Sequence, residues 1–171
     1  MSYLIYEATI PQIIRMLTNL SKIMSKAESQ ALSKGLLLSE LVEARLASDM
    51  YPFKRQIQMI SNSAKSCAAR LSGTEAPHFE DTEESFEELK LRLTKTIEYL
   101  KTVPAEAFSD AEDREITIKL PARETKMNGR KFVTAFSLPN IYFHVTTAYD
   151  LLRHKGIDIG KMDYLGEGVL D

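Results

Sequence analysis

The sequence predicts an all-α protein, an antiparallel four-helix bundle with a small β-hairpin inserted before the last helix. Four stretches of roughly twenty residues carry apolar side chains at helical spacing, as core-facing helices do. Loops marked by proline or glycine separate them. Between about residues 114 and 128 the pattern changes to strict alternation, the mark of short strands. The 171 residues form one domain, long enough to bury about two thirds of the surface of the unfolded chain.

The first helix is expected from Ile10 to Ser33. Ile10, Ile13, Ile14, Leu17, Leu20, Met24, Ala27 and Ala31 form its inner stripe, while Gln12, Arg15, Asn19, Lys22 and Lys26 face outward. Pro11 suits the first turn, where a missing N–H does no harm. Gly35 ends this helix, and Ser39 is expected to cap a short one over Glu40–Leu46.

The second long helix should open near Pro52 and close at Gly73, with Phe53, Ile57, Ile60, Ala64, Cys67 or Ala68, and Leu71 inward. Gln56 and Met59 flank that stripe. A buried amide at Gln56 needs partners or costs about 1–3 kcal/mol. Residues 73–81 read as a loop, with His78 exposed in it. Asp81 and Glu84 resemble a capping box for a third helix over Thr82–Lys101, whose inner face is Phe86, Leu89, Leu93, Ile97 and Leu100. The acidic group Glu80, Asp81, Glu83 and Glu84 is best read as carboxylates drawn to a helix N-terminus rather than as a cation site.

Pro104 breaks the helical pattern, and the following residues form at most one turn. Ile116, Ile118 and Leu120 alternate with Glu115, Thr117 and Lys119 as a half-buried strand, Pro121-Ala122 turns the chain, and Glu124–Met127 returns it. A lone hairpin is marginal and must lean on the helices. The last helix runs from about Lys131 to Lys155, with Phe132, Phe136, Ile141, Val145, Ala148 and Leu152 inward. Pro139 falls inside it, so a kink or break is expected there, freeing a carbonyl near Phe136. The tail, residues 156–171, is glycine-punctuated and aperiodic, with apolar residues able to tie it to the bundle or to a second subunit.

Composition narrows the functional classes. With 22 basic and 24 acidic residues, the net charge of −2 argues against a nucleic-acid backbone binder. No apolar run approaches the ~20 residues of a membrane span, and no basic-then-apolar leader opens the chain, so a cytoplasmic location is expected by default. The single cysteine, Cys67, excludes an internal disulfide and reads as buried packing. No nucleophile elbow, phosphate loop or HExxH motif is present.

The titratable group best placed for site chemistry is His144, on the flank of the inner stripe between Pro139 and Gly156. With Asn140, Gln56, Met59 and Tyr149 it forms the candidate polar cluster between helices, which Tyr142 is also close enough in sequence to join. The blander reading makes His144 a satisfied core residue, bonded to Gln56 or to the carbonyl freed by Pro139.

The strings DMYPFKRQIQMISNSAKSCAARLSG and LPNIYFHVTTAYDLLRHKGIDIGKMDYLG resemble an uncharacterised bacterial and fungal family within the DinB/YfiT-like metalloenzyme superfamily of four-helix bundles. The resemblance extends over nearly the whole chain. It implies a divalent metal held by three histidines, one early in the second helix and two at i and i+4 on the last. His144 matches one of that pair. Asn140 stands in place of the other, and the second-helix position falls near Met59, with Gln56 and Gln58 beside it. Amides and a thioether are poor partners for zinc or nickel. Asp49 and Asp150 are the conceivable recruits, and His154 lies ~15 Å along the helix, out of reach. No cofactor is therefore expected, and Zn or Ni only as a remote alternative.

Two readings follow. One is a metal-free bundle that binds an unknown small molecule or partner through a polar interhelical pocket. The alternative is a metal-dependent enzyme, a hydrolase or a thiol-cofactor transferase, with His144 as a ligand. Superfamily members often pair through their helices, so a homodimer is expected.

Overall fold

The computed structural model describes residues 3–120 and 123–169. The chain is mostly helical, with one two-stranded antiparallel hairpin. Its four long helices are α1 (Tyr3–Lys34), α3 (Phe53–Ser72), α4 (Phe86–Thr102) and α6 (Leu138–His154). Shorter helices are α2 (Leu38–Val42), α5 (Gly129–Lys131) and α7 (Lys161–Leu165). Strands β1 (Glu115–Leu120) and β2 (Arg123–Asn128) pair from Glu115↔Asn128 to Leu120↔Arg123. The expected turn at Pro121-Ala122 lies outside the described residues.

The helical period dictates the packing. On α1, Ile10, Ile13, Leu17, Leu20, Met24, Ala27 and Ala31 are all buried, with Pro11 tolerated inside the helix. Ile14, expected inward, is only half-buried. Helix α3 is the central strut and packs against α4, α6 and α1. Pro52 is its N-cap, and Gly73 closes it at φ +73°, a conformation that favours glycine. Ile116 and Ile118 on β1 join the same core, which supplies the support a lone hairpin lacks.

Several expected boundaries shift for identifiable reasons. The short helix spans Leu38–Val42 behind an N-cap at Leu37, not Glu40–Leu46 behind Ser39. Burial of Leu41 and Val42 sets its position, and the Phe53 N–H then bonds the Ala44 carbonyl as the chain turns into α3. Helix α4 opens later than expected. Ser85 is its N-cap, accepting from the Glu88 N–H at 3.2 Å while Glu88 accepts from the Ser85 N–H at 2.9 Å. Asp81 and Glu84 are unavailable for that box because cations on the neighbouring helices hold them, as described below.

The break expected at Pro139 takes the form of a π-helical turn over Phe132–Ser137, in which the Leu138 N–H reaches back five residues to the Val133 carbonyl. This wider turn rotates the helix phase. Ser137 takes the inward position, and Phe136, expected inside, is 38% exposed. The tail is more regular than its composition suggests. Ile157 and Ile159 are buried, and α7 lies along α1. Asn19, read as outward-facing, is covered by that helix and donates its amide to the Tyr164 carbonyl at 3.1 Å.

Candidate functional site

Helices α3 and α6 bring His144 and Gln56 together. Nδ1 of His144 lies 2.7 Å from Gln56 Oε1, and Gln56 Nε2 donates to the Tyr51 carbonyl at 3.0 Å. Because the amide N–H points at Tyr51, Oε1 is the acceptor, and the His144 proton must sit on Nδ1. Nε2 then carries the lone pair. His144 is 6% exposed and Gln56 1%. Burial, with the nearby charge of Arg55, holds the imidazole below its ordinary pKa, so it is neutral near pH 7. Phe143 meets the His144 ring edge-on at 5.2 Å between centroids.

The other expected members are arranged differently. Asn140 donates its amide to Ser63 Oγ at 2.8 Å, one turn from His144 on the same α3–α6 seam. Met59 and Asn140 line an open groove of about 320 Å³, with Asn62, Ser63, Ser66 and Arg70 of α3, Ile118 and Lys119 of β1, and Phe132, Phe136 and Ser137 of the π turn. His144 and Gln56 do not line that groove. Tyr149 does not join the cluster. It faces α7, stacks edge-on against Tyr164 at 6.1 Å, and donates weakly to the Ile159 carbonyl. Five residues from His144 is more than a quarter turn off its face, which the spacing alone already implies. Tyr142 lies on another face of α6 and lines a separate cleft with α1 and α7.

The donors present do not fit the three-histidine ion site implied by resemblance. One imidazole stands with one amide oxygen, while the Met59 thioether lines the separate groove. Asp49 and Asp150 are exposed and make no hydrogen bond to His144. Among the described residues no group of three or more His, Cys, Asp and Glu is placed to share an ion. Zinc sites are built from such residues.

Sequence reading missed a second polar constellation, centred on Arg92 of α4. The residue is 2% exposed. Nη1 bonds the Glu83 carboxylate at 2.8 Å and the Glu80 carbonyl at 2.9 Å, while Nη2 reaches Asp81 at 2.8 Å and Asn62 Oδ1 at 2.9 Å. Arg55 also pairs with Asp81, and Lys54 bonds Glu84 at 2.7 Å. The acidic group is therefore a clamp that fastens loop 73–85 onto α3 and α4. Burial raises the Asp81 carboxyl, but bonds from Arg55 and Asn62 and the Arg92 charge outweigh it, leaving its pKa below the ordinary value. Lys65 completes the clamp. It is buried, donates to the Pro77 carbonyl at 3.0 Å, and lies 3.8 Å from the centre of the Phe79 ring. Desolvation and the Arg92 charge lower its pKa to about 8. The signal was available: an arginine at a position whose period points inward, four residues before Thr96 and three after Leu89.

Cys67 is fully buried, and desolvation raises its thiol pKa to about 11, partly offset by a hydrogen bond with Ser137. It is packing, as expected. No described helix is long and apolar enough to cross a membrane.

Comparison with known proteins agrees with this architecture. The family model described as a domain of unknown function, DUF1993, matches residues 5–165. No curated protein matches the chain. The crystal structure of a DinB family member protein from Shewanella denitrificans superposes with a TM-score of 0.90 at 37% identity, covering 96% of this chain and 93% of that one. The chain belongs to the DUF1993 family, an uncharacterised family of DinB-like proteins.

Proposed function

We propose that this protein is a DinB-like four-helix bundle without the three-histidine metal site, acting as a metal-free module that binds a small polar molecule. The groove between α3, the π turn and β1 is its binding site. One observation carries the reading. The polar groups lining that groove are amides and hydroxyls, Asn62, Ser63, Ser66, Ser137 and Asn140, with the Asn140 NH2 bonded to Ser63. Such groups recognise a ligand by hydrogen bonds rather than by gripping an ion. Arg70 and Lys119 at the rim have no carboxylate partner among the described residues, which favours an anionic ligand. A π turn in a helix wall also recurs at functional sites. Phe136 of the π turn and Phe143 of α6 are exposed apolar side chains, which favours a homodimer.

The test is an NMR titration of labelled protein with Zn²⁺, Ni²⁺ and small phosphate- and carboxylate-bearing compounds. Saturable shifts at Ser63, Asn140 and Arg70 with an organic anion, lost in Asn140→Ala, support the reading. Tight Zn²⁺ or Ni²⁺ binding that disappears in His144→Ala would overturn it in favour of the metal-dependent enzyme.

A further inference from the structure

A second cleft, of about 390 Å³, lies on the opposite flank of α6, walled by Gln12, Arg15 and Met16 of α1, Tyr142 of α6, and Tyr164 and Leu165 of α7. Its volume falls within the range of small-molecule sites. Met16, Leu165 and the two tyrosine rings make the walls apolar. The polar groups are few, the usual composition of a ligand site.

We propose that this cleft binds a small carboxylic acid with an apolar body, on the order of ten non-hydrogen atoms. Arg15 is the anchor. Its guanidinium has no carboxylate partner among the described residues and bonds only the neutral side-chain oxygen of Gln12. A guanidinium at the rim of an apolar cleft pairs well with a carboxylate, which accepts two N–H groups at once. Tyr142 supplies a second donor. Its hydroxyl makes no hydrogen bond among the described residues, and burial raises its pKa, so it keeps its proton. Tyr164 has its oxygen engaged by Thr146 at 3.2 Å, leaving its own proton to give.

The cleft is built rather than incidental, because α7 is held in place from several sides. Lys26 pairs with Asp163, Asn19 bonds the Tyr164 carbonyl, and Asp163 accepts from the Gly160 N–H at 2.8 Å. Gly166 runs at φ +90° against Asn19, where a side chain would collide with the amide. The walls are therefore preformed, which lowers the ordering cost of binding.

This proposal is independent of the groove beside Asn140, and its test separates the two. Labelled protein is titrated by NMR with octanoate below its micelle concentration, and with 1-octanol as the neutral match. Saturable shifts are expected on Arg15, Tyr142 and Tyr164, with octanol binding weaker by about tenfold or more. Arg15→Met should weaken octanoate by a similar factor and leave octanol unchanged, while Tyr142→Phe should weaken octanoate by a few-fold. Arg15 is exposed, so its variant folds, which a thermal melt confirms. Absence of saturable binding, equal affinity of Arg15→Met for octanoate, or shifts confined to the α3–β1 groove would each overturn the proposal.

Discussion

The Nδ1 atom of His144 sits 2.7 Å from the Oε1 atom of Gln56, and the two residues lie on facing helices with almost no exposure. Each satisfies a polar group that the other would leave stranded. His144→Ala should therefore lower stability by about 1–3 kcal/mol for the unpaired amide, before any cavity cost. Gln56→Ala should cost a similar amount. The double variant should lose less than the sum, because the second truncation removes the group orphaned by the first. Urea denaturation of the four proteins measures this coupling, and strictly additive losses would mean the pair does not interact.

The same pair makes stability depend on pH. The folded imidazole has its pKa lowered from about 6.5, chiefly by burial. A depressed histidine binds fewer protons folded than unfolded, so its contribution is fully present above the unfolded value. It is lost as pH falls below about 6.5 and levels off beneath the folded value. The urea midpoint of the native protein should fall between pH 7.5 and 5.5 by more than that of His144→Phe. Equal slopes would refute the burial argument.

Arg92 is the buried cation on which the loop clamp depends. Arg92→Leu leaves the Glu83 carboxylate without its counter-charge and Asp81 with Arg55 alone, and should cost about 3–5 kcal/mol. Replacing an exposed pair member, Lys126 of the hairpin, should leave the denaturation midpoint nearly unchanged, because solvent screens that pair. Limited proteolysis adds a local reading, since loss of the clamp should make loop 73–85 the first site cut. Asp81, with a lowered folded pKa, adds an acid limb: its contribution is present above the unfolded aspartate value and lost as pH falls through the folded one.

Gly129 has no room for a side chain. A Cβ there would stand 1.7 Å from the Ala111 carbonyl oxygen, and the Arg130 N–H bonds the Glu112 carbonyl alongside at 3.0 Å. Backbone cannot retreat as a flexible side chain can, so Gly129→Ala should destabilise by roughly 3 kcal/mol. Gly156→Ala is the contrast. No atom crowds that position, and only its φ of +83° opposes the change, so roughly 1 kcal/mol is expected. Thermal melts of the two variants decide the order.

The Cys67 thiol is sealed, with a pKa raised to about 11. It should react with a thiol reagent at neutral pH only at the rate of protein opening, and at once in denaturant. Rapid modification of the folded protein would contradict its burial.

Helical class, the number of long helices, the hairpin and most inward residues were legible because burial repeats at a fixed period along the chain. The stripe of α1 and that of α3 were read almost residue for residue. Boundaries were less legible where side chains had rival uses. Asp81 has the chemistry of a cap, yet Arg55 and Arg92 claim it, and no local rule says that those cations arrive from other helices. Phe136 is misplaced for a different reason, since one π turn shifts the phase of everything it contains.

Sequence by itself determined the secondary-structure menu, the identity of the residues standing where the resemblance implies two further histidines, and the presence of His144 on an inward flank. These are properties of residue identity and period. Only the tertiary structure decided that Gln56 would complete His144, that Asn140 would turn to Ser63, and that Tyr149 would face α7 instead. Those outcomes depend on which helix faces which, and on rotations of a few tens of degrees that a period of 3.6 residues leaves open. Buried polar atoms then select their partners from whatever the packing brings within about 3 Å.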